Sequence, residues 1–186
     1  MKTIKLLMTL VAILMLSFNA QAQEADSFSF SFGFTGVDAF PTNAQNDYSG
    51  ALFDDFFKVG DNWNVAPSVT YIQGSYGLEN GFSIAVRGSA GSISTLGTQS
   101  VKETYIGADA SVRYNFFSDT TLDPYVLAGG GHYWMGDFDA FTANVGVGLN
   151  IWFTDNFGLS LDSTFKHAPS NYGVTHFQHA LGIVIK

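Results

Sequence analysis

The stretch from Phe141 to Phe165 constrains this chain more tightly than any other: FTANVGVGLNIWF, then TDN, then FGLSLDSTF. Successive residues of a strand point to opposite faces, so a period of two sorts the first arm. Ala143, Val145, Val147, Leu149, Ile151 and Phe153 share one side. Thr142, Asn144, Gly146, Gly148, Asn150 and Trp152 share the other. The second arm repeats the split, with Phe157, Leu159, Leu161 and Phe165 against Gly158, Ser160, Asp162, Thr164 and Lys166. Each arm has about the 9–11 residues that a tilted strand needs to cross a bilayer. The turn holds only Thr154, Asp155 and Asn156, with aromatic residues on both sides. One face is aliphatic with aromatic ends and the other is small and polar, which predicts a transmembrane β-hairpin.

The N-terminus reads as an export signal. Lys2 and Lys5 precede an apolar run from Leu6 to Phe18, and Ala20-Gln21-Ala22 is an A-x-A cleavage site. The expected division is therefore a signal peptide over residues 1–22 and one barrel domain over residues 23–186. Removing Lys2 and Lys5 leaves six of the eight basic residues against all sixteen acids, a formal charge of −10. That balance argues against nucleic-acid binding, which needs a basic footprint. No cysteine is present, so neither a disulfide framework nor a lipid-bearing cysteine is available. No apolar run long enough for a membrane helix follows Ala22, and abundant Gly and Phe with little Lys suit strands facing lipid.

The same alternation recurs along the chain. Ser27 to Thr35 (SFSFSFGFT) lines up Phe28, Phe30, Phe32 and Phe34 as strand one, followed by a long loop from Asp38 to Asn62. Strand two is expected over Trp63 to Gln73, with Val65, Val69 and Tyr71 outward; Pro67 removes one ladder donor within it. After the tight turn Gly77 to Gly81, strand three sends Phe82, Ile84 and Val86 outward and Ser83, Ala85, Arg87 and Ser89 inward. A loop over Gly91 to Val101 leads to strand four, Lys102 to Phe116, with Ile106, Val112 and Tyr114 outward and Asp109, Arg113 and Asn115 inward. Strand five, Asp123 to Trp134, is expected to show Tyr125, Leu127 and Tyr133 outward, with Met135 to Ala140 as a loop. The opening hairpin supplies strands six and seven, His167 to Val174 is the last loop, and strand eight runs from Thr175 to Lys186. Eight strands, short turns at one end, longer loops at the other and aromatic residues at both predict an all-β, eight-stranded antiparallel up-and-down transmembrane barrel.

A soluble ligand barrel would reverse the polarity, with an apolar lumen and a polar exterior. Here the mid-strand charges Arg87, Asp109, Arg113, Asp162 and Lys166 all lie on the Ser/Thr/Asn/Gly face. Eight strands enclose only enough room for side chains. These five residues are therefore expected to form a polar network packing the interior, with pairing between the adjacent strands three and four.

The segments PYVLAGGGHYW (Pro124 to Trp134), ANVGVGLNIWFTDNFGLSL (Ala143 to Leu161) and HFQHALGIVIK (His176 to Lys186) resemble the OmpA-type outer-membrane β-barrel. The resemblance implies a small structural barrel of the cell outer membrane that contacts lipid, is inserted by the barrel-assembly machinery and supports envelope integrity. Peptidoglycan would be a partner only through a further domain. Members of that family close the last strand with an aromatic residue, whereas this sequence stops at Ile185-Lys186, which points to a trimmed chain or an unusual assembly signal. A small pore and a surface adhesin are the alternatives.

No residue set calls for catalysis, a cofactor or a metal. His176 and His179 are three apart and on a strand face opposite ways. Ser163, His167 and Ser170 lie near one rim without a base and orienter at nucleophile spacing. Gly129-Gly130-Gly131 precedes no helix that would make an anion site, and reads instead as close strand packing. A surface contact is expected at Phe53, Asp54, Asp55, Phe56 and Phe57, in the loop after strand one, as an aromatic anchor with solvated acids or as a partner contact.

Overall fold

The period-two segments join into one antiparallel sheet in the computed structural model, which describes residues 26–39, 59–66, 68–96, 99–117, 121–169 and 173–186. Its strands are β1 (Phe28–Asp38), β2 (Trp63–Val65), β3 (Tyr71–Gly77), β4 (Phe82–Leu96), β5 (Gln99–Asn115), β6 (Leu122–Met135), β7 (Phe138–Thr154), β8 (Phe157–His167) and β9 (His176–Ile185). Neighbours pair in chain order from β3 to β9, and β1 pairs with both β3 and β9, which closes the sheet. The short β2 pairs with β1 at Gly36, Val37 and Asp38, beyond the β1–β3 ladder. Together β2 and β3 form one interrupted stave, so the barrel has eight. Closure removes the exposed edges that an open sheet would present.

The interruption corrects the reading of Trp63 to Gln73 as one strand. Val65 and Val69 are exposed as expected, but Tyr71 is buried and Ile72 is exposed, so the facing shifts by one residue. Val69 still keeps the expected phase, and the change falls where Thr70 and Tyr71 are buried in succession at the start of β3; Pro67 itself lies outside the described residues. Thr70 ties the restart to β1: its Oγ1 accepts from the Thr35 N–H at 2.5 Å and lies 2.9 Å from Thr35 Oγ1.

Two expected loops prove to be strand. The Gly91–Val101 segment continues the β4–β5 ladder to Leu96 and resumes it at Gln99. Between β6 and β7 only Gly136 and Asp137 turn the chain, with Gly136 at φ +57°, a left-handed conformation glycine takes without a Cβ penalty. Ile93, Thr95 and Val101 are β-branched and suit a paired wall, which glycine and serine neighbours did not advertise. At the opposite end the turns stay tight: a 3₁₀ turn at Glu79–Gly81, and Asp155-Asn156 beside a bulge between Trp152 and Thr154.

The exterior carries the aliphatic and aromatic set, including Phe28, Phe34, Ile84, Val86, Ile106, Val112, Val145 and Val147, each about half exposed or more. Near the loop end Trp63 stacks on His179 across Gly36, with ring centroids 3.9 Å apart, and Phe165 packs on Phe177 at 5.1 Å. No described helix is long and apolar enough to cross a membrane.

Candidate functional site

Parity delivers the candidate residues to the lumen. Arg87, Arg113, Asp162 and Lys166 are buried, and Asp109 is nearly so. β4 and β8 lie on opposite sides of the wall, and Arg87 reaches across to Asp162 with Nη1 donating to Oδ1 at 2.9 Å and Nη2 to Oδ2. Tyr125 adds its hydroxyl to Asp162 Oδ2 at 3.3 Å. A bidentate guanidinium–carboxylate pair fixes geometry as well as charge.

Asp109 stands directly opposite Arg87 in the β4–β5 ladder, yet it pairs elsewhere. Lys166 Nζ lies 2.8 Å from Asp109 Oδ1 and also donates to Tyr105 at 3.0 Å and Gln178 at 3.1 Å. Asn144 donates to the same Asp109 oxygen at 2.9 Å. The expected pairing between neighbouring strands is thus replaced by bridges across the barrel. Long basic side chains in a narrow lumen reach the far wall more easily than they fold back onto the next strand.

Residues that alternation did not single out complete the network. Gln73 Oε1 accepts from Arg87 Nε at 3.0 Å and from Arg113 Nη2 at 2.5 Å, while its Nε2 donates to Ser31 and Ser75. Arg87 also lies over the Tyr71 ring at 4.9 Å, and Arg113 over Tyr125 at 4.6 Å. Toward the turns, Asp123 takes both oxygens of its carboxylate to Asn115 at 2.9 Å and one to Asn150 at 3.2 Å.

The facing of β6 corrects a second expectation. Tyr125, Leu127 and Tyr133 point into the lumen, with at most 7% exposure, and Leu122, Val126 and Trp134 face out. Both faces of this strand are apolar, so alternation alone carries no polarity. The ladder settles it, because Tyr125 lies between Asn115 and Gly148, both on the lumen side. A Cβ on Gly148 would overlap the Tyr125 ring, and one on Gly182 would overlap the Tyr71 hydroxyl. Glycines on other staves therefore make room for the tyrosines that fill the interior.

At the loop end the lumen turns apolar, with Val37, Ile93, Tyr105, Tyr133, Met135 and Val174 in one buried cluster. His176 joins the two layers. Its Nδ1 sits 2.8 Å from the Val174 carbonyl and so carries the proton, leaving Nε2 to accept from Tyr105 at 3.1 Å. Tyr133 in turn accepts from the Val174 N–H at 2.5 Å. His179 lies on the outer face against Trp63, so the two histidines point apart. Among the described residues no three His, Asp or Glu side chains converge to hold a metal. Ser163 faces His179 across the β8–β9 ladder, and His167 Nδ1 lies 3.4 Å from Thr175 Oγ1. Ser170 and the Phe53, Asp54, Asp55, Phe56 and Phe57 cluster lie outside the described residues.

Similarity to known proteins follows the barrel. Fold comparison matches the outer membrane protein OprG from Pseudomonas aeruginosa at 11% identity and TM-score 0.59, covering 90% of this chain and 98% of that one. Neisserial surface protein A matches at 15% identity and TM-score 0.58, over 88% and 99%. Ail, the attachment invasion locus protein of Yersinia pestis, matches at 13% identity and TM-score 0.53, over 87% and 98%. At these identities the likeness shows the shared eight-stranded fold. Sequence comparison with curated proteins returns no match. The family model for the outer membrane protein beta-barrel domain matches residues 8–183, and the chain belongs to that family.

Proposed function

We propose that the chain is exported through residues 1–22 and serves as a non-enzymatic structural anchor of the outer membrane, supporting envelope integrity. The observation that carries this reading is the filled lumen. Arg87–Asp162 and Lys166–Asp109 cross it, and the apolar cluster around Tyr105 and Tyr133 lies above them. A side-chain-filled eight-stranded barrel has no room for a conducting water column. The aliphatic exterior supports direct contact with lipid, and insertion by the barrel-assembly machinery accords with it. Peptidoglycan enters as a partner only through a further domain.

The test is electrical. Folded protein reconstituted in planar bilayers should leave the current without reproducible unitary steps. Discrete steps that persist after the folded fraction is purified would favour the small-pore reading instead. Binding to host or cell surfaces with a silent bilayer would favour the adhesin reading, and deletion of the Asp38–Asn62 loop should then abolish binding in a folded barrel.

A further inference from the structure

At the loop end the wall between β2 and β4 is closed by a side chain where the rest of the barrel uses a backbone ladder. The β3–β4 ladder ends at Tyr71 opposite Ser89, and one further backbone bond follows, from the Ala90 N–H to the Thr70 carbonyl at 2.7 Å. Above that level β2 pairs with β1, and among the described residues no backbone pairing joins β2 to β4. Asn64, which is buried, spans the seam. Its Oδ1 accepts from the Ser94 N–H at 2.7 Å, the Thr95 N–H at 2.8 Å and the Ser94 hydroxyl at 3.0 Å. Its Nδ2 donates to the Thr95 carbonyl at 2.9 Å and to the Val37 carbonyl of β1 at 3.0 Å. One amide thus satisfies backbone groups that a neighbouring strand would otherwise take.

The same place carries a β-bulge. Ile93 pairs with Glu103 and Thr95 with Ser100, which sets Ser94 alone against Val101 and Lys102. A bulge bends the strands and disrupts the local ladder, and the amides of Ser94 and Thr95 are the ones that Asn64 takes up. Beyond the bend, Leu96 and Val101 pack against the buried cluster that holds Ile93, Tyr105, Tyr133 and Met135. The staves below are joined by continuous ladders, whereas this hairpin end is joined to the β2 side by one amide and a small apolar contact. Segments held in that way open at a lower free energy than the ladders beneath them.

We propose that the β4–β5 hairpin end carrying Ser94, Thr95, Leu96 and Val101 is a lid over the loop-side half of the lumen, hinged at the bulge and latched by Asn64. Opening breaks the bonds from Asn64 to β4, keeps the β1–β2 pairing and uncovers the apolar cluster. The Lys166–Asp109 and Arg87–Asp162 bridges beneath it stay closed, so the opened space is a dead-end chamber and the barrel still conducts nothing.

The test is thiol access in the full chain, which has no cysteine of its own, folded in uncharged maltoside micelles. Met135→Cys places a reporter in the cluster on β6, away from the latch, and Val184→Cys places a second one in the turn-side lumen. Adding Asn64→Ala should speed the reaction of a water-soluble maleimide at position 135 by about tenfold or more and leave the rate at position 184 unchanged. No acceleration at position 135, or equal acceleration at both positions, would overturn the lid. Should Asn64→Ala fail to fold, hydrogen exchange of the parent chain decides. The Ser94 and Thr95 amides should then exchange about tenfold faster or more than the Ala90 amide, through an opening that leaves Ala90 protected. Equal protection of all three would overturn the proposal.

Discussion

Asp162 shows how far a single residue's role can be read before its neighbours are known. Its position on the small polar face of the opening hairpin was legible from alternation, as were those of Arg87, Asp109, Arg113 and Lys166. Its partner was not, because Arg87 arrives from a strand 75 residues earlier and from the opposite wall. Local spacing carries no information about which side chains meet across a closed lumen. Gln73 escaped notice for the same reason: an uncharged amide between two arginines acquires meaning only when both are in place. Breaking one side of a buried ion pair strands the other charge. Asp162→Ala should therefore lower stability by about 3–5 kcal/mol. Pairing Arg87→Met with Asp162→Leu should cost clearly less than that single change, because no buried charge is left alone. Urea unfolding in lipid vesicles, followed by tryptophan emission, measures both; additive losses would mean that the two side chains do not depend on each other.

At the scale of the element, alternation succeeded where the two faces differ in chemistry and failed where they do not. β7 and β8 set aliphatic against small polar residues, and their facing agrees with the sequence reading. β6 offers Tyr125, Leu127 and Tyr133 on one face and Leu122, Val126 and Trp134 on the other, and three glycines between them erase the contrast. Only pairing with β5 and β7 decides its orientation. The β2–β3 stave failed differently, since it is interrupted between Val65 and Tyr71 and restarts in the other phase, and no residue pattern announces by how much. The orientation of β6 has a direct consequence for its neighbour. Gly148→Ala, harmless in an ordinary strand, should cost about 1–3 kcal/mol by driving a methyl group into the Tyr125 ring. The same change beside Tyr125→Val should be close to neutral. Thermal unfolding of the four proteins of that cycle reads the coupling, and a neutral Gly148→Ala in the parent would place Tyr125 elsewhere.

Over the whole molecule the physical logic is that of a protein turned inside out. In lipid every backbone polar group must be satisfied within the protein, and a closed barrel does this without an edge. The side chains then divide, aliphatic outward and polar inward, while the apolar cluster at the loop end fills the remaining width. The eight-stranded architecture was readable because this division repeats on most staves; the interior pairing was not, because it is set by diameter and curvature. The chain's lack of cysteine makes the central claim directly measurable by single-cysteine scanning from Thr142 to Phe153. A fluorophore at each position, in vesicles containing a quenching lipid, should be quenched strongly at Ala143, Val145, Val147, Leu149 and Ile151. It should be quenched weakly at Thr142, Asn144, Gly146, Gly148 and Asn150. Quenching of period two with this phase is the predicted result; uniform quenching, or the opposite phase, would contradict a membrane-spanning barrel with a polar interior.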